Sequence, residues 1–260
     1  AGTVRFTTTV AGTDANSAAA LTTGSVMSGV VVVQTPAAVQ AALAALPSTV
    51  GVGQDFLVTL TVTNTGGTTA TGVSAPEPVV AGTGVASFLA GPLPAMPVTL
   101  VGGASVTFTW TFSGASSGLV DLTTTVTGTD ANTAAAVSTG PVVVGPVTIV
   151  PSGTLVSRVT VTVLPVSVGQ WITVALTVTN DGGVPANAVI PGVVNASTAA
   201  LALVSGPVPA GPVTLGPGAA QVFVWTFSAS GAGSLALSLT TTGTDGGTGD
   251  PLYTFQSVFV

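Results

Sequence analysis

The 260 residues contain no His and no Cys, both basic residues are arginines (Arg5 and Arg158), eight residues are acidic, and the net charge is −6. Only 4% of the side chains are charged, against roughly 25% in an ordinary globular chain. This inventory excludes Ser-His-Asp and Cys-His nucleophiles, ordinary zinc sites, disulfides and Schiff-base lysines, so the expectation is a protein that is not an enzyme, with no catalytic residue and no cofactor. Two cations cannot neutralise a phosphate backbone, which argues against nucleic acid as a partner. Mean hydropathy is +0.79, yet Thr, Gly, Pro and Ser break each apolar run short of the roughly 20 residues that a spanning helix needs, so no membrane span is expected.

In chain order, the first element is already a copy of a later one. Phe6-Thr7-Thr8-Thr9-Val10-Ala11-Gly12-Thr13-Asp14-Ala15-Asn16 returns 116 residues on as Leu122-Thr123-Thr124-Thr125-Val126-Thr127-Gly128-Thr129-Asp130-Ala131-Asn132. The chain therefore opens near the end of a repeat, without the basic and apolar regions of a secretory signal. Residues 1–35 read as the last two strands of an incomplete sandwich, with Val4, Phe6, Thr8 and Val10 on the inward face of one and Val30, Val31, Val32 and Val33 forming the next. An isolated hairpin is marginal in water. These apolar residues are accordingly the candidate self-association surface, covered by a neighbouring copy or by more of the same repeat array.

The next segment carries helix signals: Thr35 as N-cap, Pro36 at the first helical position and an Ala-rich run to Leu46 before Pro47. Its counterpart, Arg158-Val159-Thr160-Val161-Thr162-Val163-Leu164, alternates as a strand. Two copies of one fold use one structure, so a strand is predicted in both. Gly53 to Gly67 then returns as Gly169 to Gly183, and in these copies Phe56, Val58, Leu60 and Val62, or Ile172, Val174, Leu176 and Val178, alternate with Thr-rich outward positions. Thr suits an exposed strand face because its branched Cβ fits the pleat. Phe108-Thr109-Trp110-Thr111-Phe112 returns 115 residues on as Phe223-Val224-Trp225-Thr226-Phe227; Phe108, Trp110, Phe112, Phe223, Trp225 and Phe227 are the predicted core aromatics. Thr127-Gly128-Thr129-Asp130 returns as Thr242-Gly243-Thr244-Asp245. The reading is an all-β chain of tandem immunoglobulin-like β-sandwich domains, one spanning residues 36–150 and one 151–260, after the partial repeat of residues 1–35.

Few side chains offer site chemistry. Asp14 with Asn16 and Asp130 with Asn132 share a D-x-N spacing and are weak candidates for calcium, which takes six to eight oxygens; the alternative is an Asx turn, in which the carboxylate caps its own backbone. Asp55, Glu77, Asp121 and Asp181 are scattered rather than paired across a cleft as a glycosidase requires. Asn195-Ala196-Ser197 has the form of a glycosylation sequon. Trp171, at the position of Asp55, is predicted to point outward, toward a sugar, a neighbouring subunit or an edge. Arg5 stands where the next copy has Asp121.

The motif Val52-Gly53-Gln54, then Val58-Thr59-Leu60-Thr61-Val62-Thr63-Asn64-Thr65-Gly66-Gly67, then Gly102 to Phe112 and Thr127 to Asn132, resembles the bacterial conserved-repeat domains of unknown function and the related cell-adhesion-related domain found in bacteria. The resemblance covers nearly the whole chain and implies an exported, tandemly repeated sandwich at the cell surface or outside the cell; it brings no catalytic residue. After Asp245 the last copy departs from it, with Gly246-Gly247 in place of Ala-Asn. Two functions compete: a subunit of an extracellular filament, sheath or matrix that grows by head-to-tail strand association with itself, and the stalk repeats of a surface adhesin or ligand-binding protein, whose glycan or other surface ligand the residues do not name. Soluble sandwiches guard their edges with Lys and inward charges. The near-absence of charge therefore favours self-association.

Overall fold

The computed structural model describes residues 1–162, 165–192, 195–196 and 201–259, and none of them is helical. An open hairpin comes first, made of β1 (Gly2–Val4), β2 (Thr7–Thr8), β3 (Ala11–Thr13), β4 (Ala20–Thr22), β5 (Val26–Met27) and β6 (Val31–Val33). The first sandwich contains β7 (Val39–Leu46), β8 (Thr49–Gly51), β9 (Asp55–Asn64), β10 (Ala70–Ser74), β11 (Val79–Gly82), β12 (Val85–Leu93), β13 (Val98–Leu100), β14 (Ser105–Ser116), β15 (Gly118–Asp130) and β16 (Ala136–Val150). The second contains β17 (Leu155–Thr162), β18 (Trp171–Asn180), β19 (Ala186–Pro191), β20 (Asn195–Ala196), β21 (Leu201–Val208), β22 (Val213–Leu215), β23 (Ala220–Ala229), β24 (Ala236–Asp245) and β25 (Pro251–Phe259).

Each sandwich stacks two sheets. In the first, β12-β14-β9-β7 faces β13-β10-β15-β16-β8, with β11 also on β15; in the second, β17-β18-β23-β21 faces a sheet in which β24 pairs with β19, β20 and β25, and β19 with β22. Sequence alternation sets which residues meet between them. Phe56, Val58, Leu60 and Val62 on β9 lie opposite Phe112, Trp110, Phe108 and Val106 on β14, and of these only Val106 is not fully buried. Phe112 stacks on Phe56 and meets Phe88 edge-on, the offset and T-shaped arrangements that ring quadrupoles favour. Ile172, Val174 and Leu176 repeat the pattern against Phe227, Trp225 and Phe223.

The Ala-rich segment is a strand. From Val39 to Leu46 it pairs residue for residue with β9, placing Val39, Ala41, Leu43 and Ala45 toward the core. Eight ladder pairings and one buried face outweigh the intrinsic helix preference of alanine, which is worth only tenths of a kcal/mol per residue.

The opening hairpin reproduces the β15–β16 hairpin in register. Gly2 pairs with Val33 as Gly118 pairs with Ile149, Thr8 with Val26 as Thr124 with Val142, and Thr13 with Ala20 as Thr129 with Ala136. The irregularities coincide as well, with Gly24 and Gly140 at φ 71° and 69° and Ala18 and Ala134 at φ 53° and 58°. Burial is what differs. Val120, Leu122 and Val126 are fully buried, whereas their counterparts Val4, Phe6 and Val10 are 40%, 65% and 62% exposed. Val30, Val31, Val32 and Val33 are also exposed.

Candidate functional site at the joint between sandwiches

Each sandwich begins on two polar anchors that strand alternation brings to one end of its core. At the last position of β9, Asn64 is fully buried. Its Nδ2 donates to Thr68 O (2.8 Å) and Leu100 O (3.0 Å), and its Oδ1 accepts from Ala38 N (3.2 Å) and Gly66 N (3.0 Å). Asn180 at the end of β18 repeats all four bonds, to Val184 O, Leu215 O, Thr154 N and Gly182 N. Only an amide supplies two donors and two acceptor sites in that space, which explains the Asn before each Gly-Gly. The glycines are required by close approach: a Cβ on Gly66 would stand 2.1 Å from Pro36 O, and one on Gly182 2.2 Å from Ser152 O.

The second anchor is the Asp that ends β15 or β24. Asp130 Oδ1 accepts from Asn132 N (2.8 Å) and Thr133 N (2.9 Å), while Oδ2 accepts from Ala37 N at 2.6 Å. Asp245 accepts from Gly247 N and Thr248 N through Oδ1 and from Gly153 N, at 2.5 Å, through Oδ2. One oxygen holds the Asx turn, and the other grips the peptide that opens the sandwich. The Ala37 and Thr133 N–H groups beside Asp130 hold its carboxyl below the usual carboxylate range. For Asp245, burial pushes upward, but the N–H groups of Thr248, Gly153 and Gly247 outweigh it and the net shift is downward. Asp14 makes the same turn, accepting from Asn16 N and Ser17 N, and is lowered by those bonds.

The anchors leave almost no slack between sandwiches. Val150 is still paired with Gly51, and Val52 N donates to its carbonyl at 2.9 Å. Gly183 N then bonds Pro151 O, and Gly153 is on Asp245. Across the joint, Gln54 Nε2 donates to Gly247 O at 2.9 Å, its Oε1 being fixed by Gly51 N at 2.6 Å. Gly51 and Gly53 fit because they lack Cβ atoms, which would lie 2.9 Å from Val184 and Thr248 side chains. The hairpin meets the first sandwich in a related way: Thr35 O accepts from Gly67 N and Thr68 N, and Gln34 bonds Gly67 O. Sequence reasoning misses Gln54; its only signal is the repeated Gly-Gln before each second strand.

The remaining sequence candidates stand apart. Asp55, Glu77, Asp121 and Asp181 are exposed, as is Trp171 at 67%. The described residues contain no group of three or more acidic, His or Cys side chains placed to hold a metal. Asn195–Ala196 pairs with β24, whereas Ser197 of the sequon lies outside the described residues. Among the described residues no helix is long and apolar enough to cross a membrane.

No family model matches the chain, and no curated protein matches it. Solved structures that resemble it include a red sea bream transglutaminase (14% identity, TM-score 0.28, covering 83% of this chain and 30% of that one) and the secreted serine protease VesC from Vibrio cholerae (11%, 0.25, 84% and 51%). Another is the collagen adhesin from S. aureus (11%, 0.22, 87% and 94%). The chain thus spans about a third of the first and half of the second.

Proposed function

We propose that this chain is a non-enzymatic structural subunit of an extracellular filament, sheath or matrix in which immunoglobulin-like sandwiches join head to tail. The observation that carries this reading is the joint, in which one sandwich ends and the next begins within Val150–Gly153, locked by Asp245 and by the Gln54 amide on Gly247. A linker this short keeps the repeats in line. A chain with only 4% charged residues and an exposed apolar hairpin makes association rest on burial and backbone pairing rather than on ion pairs, so assembly is expected to be nearly independent of salt. The same joint serves the second reading, stalk repeats of a surface adhesin or ligand-binding protein, which the register match between the opening hairpin and β15–β16 favours: the last hairpin of a preceding repeat would have that register. Sedimentation and electron microscopy at low and high salt separate the two. Filaments or sheets at both salts support the first reading, and a monodisperse rod at high concentration replaces it with the second.

A further inference from the structure

The outer face of the β12-β14-β9-β7 sheet is apolar toward one end. Phe112 and Trp110 point into the core, so Thr111, Thr109 and the residues paired with them point outward. Two rows cross all four strands: Ala90, Thr111, Leu57 and Leu46 form one, and Leu93, Thr109, Thr59 and Ala44 the next. Leu46, Leu57 and Leu93 are 68%, 48% and 76% exposed. The fold does not ask for these leucines, since the second sandwich has Ser205, Thr226, Thr173 and Thr162 across the first row. Asp55 is the one charged residue in the sequences of the four strands, and it stands beyond the first row, paired with Ser113. Beyond the second row the hydroxyls of Thr61 and Thr107 bond each other at 3.0 Å, as do those of Thr63 and Ser105 at 2.7 Å, so covering this face strands fewer polar groups. An apolar patch rimmed by polar residues marks a contact surface.

We infer that this face is a lateral contact between two copies of the chain, related by a two-fold axis that runs along the strands between β9 and β14. The pattern is self-complementary about that axis. It sets β7 of one copy over β12 of the other and β9 over β14, which places Leu46 over Ala90, Leu93 over Ala44 and Leu57 over Thr111. Each leucine meets a smaller side chain, the condition for two layers to interdigitate. The same operation sets Asp55 over Ser113 rather than over the other Asp55, so the charge meets a hydroxyl. In an isologous contact of this kind, what one copy offers the other receives. Strands about 4.8 Å apart and rows about 7 Å apart give the face roughly 500 Å2 per copy. The pair then covers about 1,000 Å2, at the threshold of a specific interface and in the range of reversible ones. The contact lies sideways to the joint and does not depend on the head-to-tail reading; where that reading holds, it pairs neighbouring chains of sandwiches.

Two measurements on the full chain test this. Sedimentation velocity across a concentration series compares the intact chain with Leu46→Glu/Leu57→Glu and with Thr160→Glu, which puts a charge at the second sandwich's counterpart of Ala44. Association is expected to weaken at least tenfold in the first variant and to be unchanged in the second, with tryptophan emission showing both to be folded. Cross-linking then exploits the lack of Cys: a short bismaleimide is added to Ala44→Cys chains, to Leu93→Cys chains and to an equal mixture. Covalent dimers are expected in excess in the mixture, because the axis brings Ala44 of one copy over Leu93 of the other and leaves like positions about 14 Å apart sideways, the width of three strand spacings. Equal association of the intact and Leu46→Glu/Leu57→Glu chains, or no excess of dimers in the mixture, overturns the two-fold contact. Filaments that persist unchanged in the Leu46→Glu/Leu57→Glu chain overturn it and leave the head-to-tail reading standing, whereas intact chains that stop at dimers support it and overturn head-to-tail growth. An intact chain that stays monomeric overturns both.

Discussion

Replacing Asn64 by Ala isolates the anchor that opens the first sandwich. The substitution orphans the carbonyls of Thr68 and Leu100, both in buried residues, and each unsatisfied buried group costs about 1–3 kcal/mol. The N–H groups of Ala38 and Gly66 lose an acceptor too, but Ala38 is exposed and Gly66 half-buried, so water replaces part of what they lose. The expected destabilisation is therefore about 4 kcal/mol, a large part of the roughly 5–15 kcal/mol available to a domain. Asn64→Leu separates hydrogen bonding from cavity formation, because it restores volume and leaves both carbonyls unpaired; a similar loss is expected. Denaturant unfolding followed by tryptophan fluorescence reads the effect, since Trp110 and Trp225 each sit in one core. The transition of the first sandwich should move and that of the second should stay. A loss below about 1 kcal/mol with either substitution would refute the claim that the carbonyls depend on this amide.

Thr241 is 1% exposed and its hydroxyl has no partner, at the position where the first sandwich has Val126; Thr241→Val should stabilise the second sandwich by about 1 kcal/mol, measured by denaturant midpoint. Ala134 holds φ 58° where the last repeat has Gly249 at φ 81°, so Ala134→Gly should stabilise the first sandwich by about 1 kcal/mol, and a loss of stability would show that the strain is compensated. Because the carboxyls of Asp130 and Asp245 are held low in the folded state, their contribution is present above the unfolded carboxylate value near 3.9 and lost as pH falls through the lower folded value. With no His, melting temperature should be flat from about pH 5 to 8 and fall below about pH 4; constancy down to pH 2 would contradict the anchoring role. Gln54→Ala removes the bond to Gly247 and also the acceptor of the buried Gly51 N–H, so the first sandwich should lose about 1–3 kcal/mol while the transition of the second holds and the distance distribution between spin labels on the two sandwiches broadens.

Most of the strand positions were legible because two signals agreed, period-two alternation and internal copying. Alternation alone identifies Phe56 to Val62 and Phe108 to Phe112 as core strands; copying alone decides Ala37–Leu46, where local preference points to helix and the ladder with β9 prevails. The Asp-x-Asn turns were visible as a choice between calcium and backbone capping. The second oxygen of Asp130 was not visible, because its partner, Ala37 N, lies 93 residues away.

Composition and repetition by themselves determined the all-β class, the tandem order and the identity of the inward residues, since each depends on neighbours within one strand or on the same residues recurring a domain later. Only the tertiary structure decided how the sandwiches meet and what is left uncovered. The Gln54 to Gly247 bond and the buried Asn64 and Asn180 amides each join residues from separate strands or separate sandwiches. The valines of the opening hairpin have the pattern of a core strand, and it is the absence of a second sheet against them among the described residues that leaves them exposed. A residue pattern specifies which face is apolar; what covers that face depends on which other parts of the fold reach it.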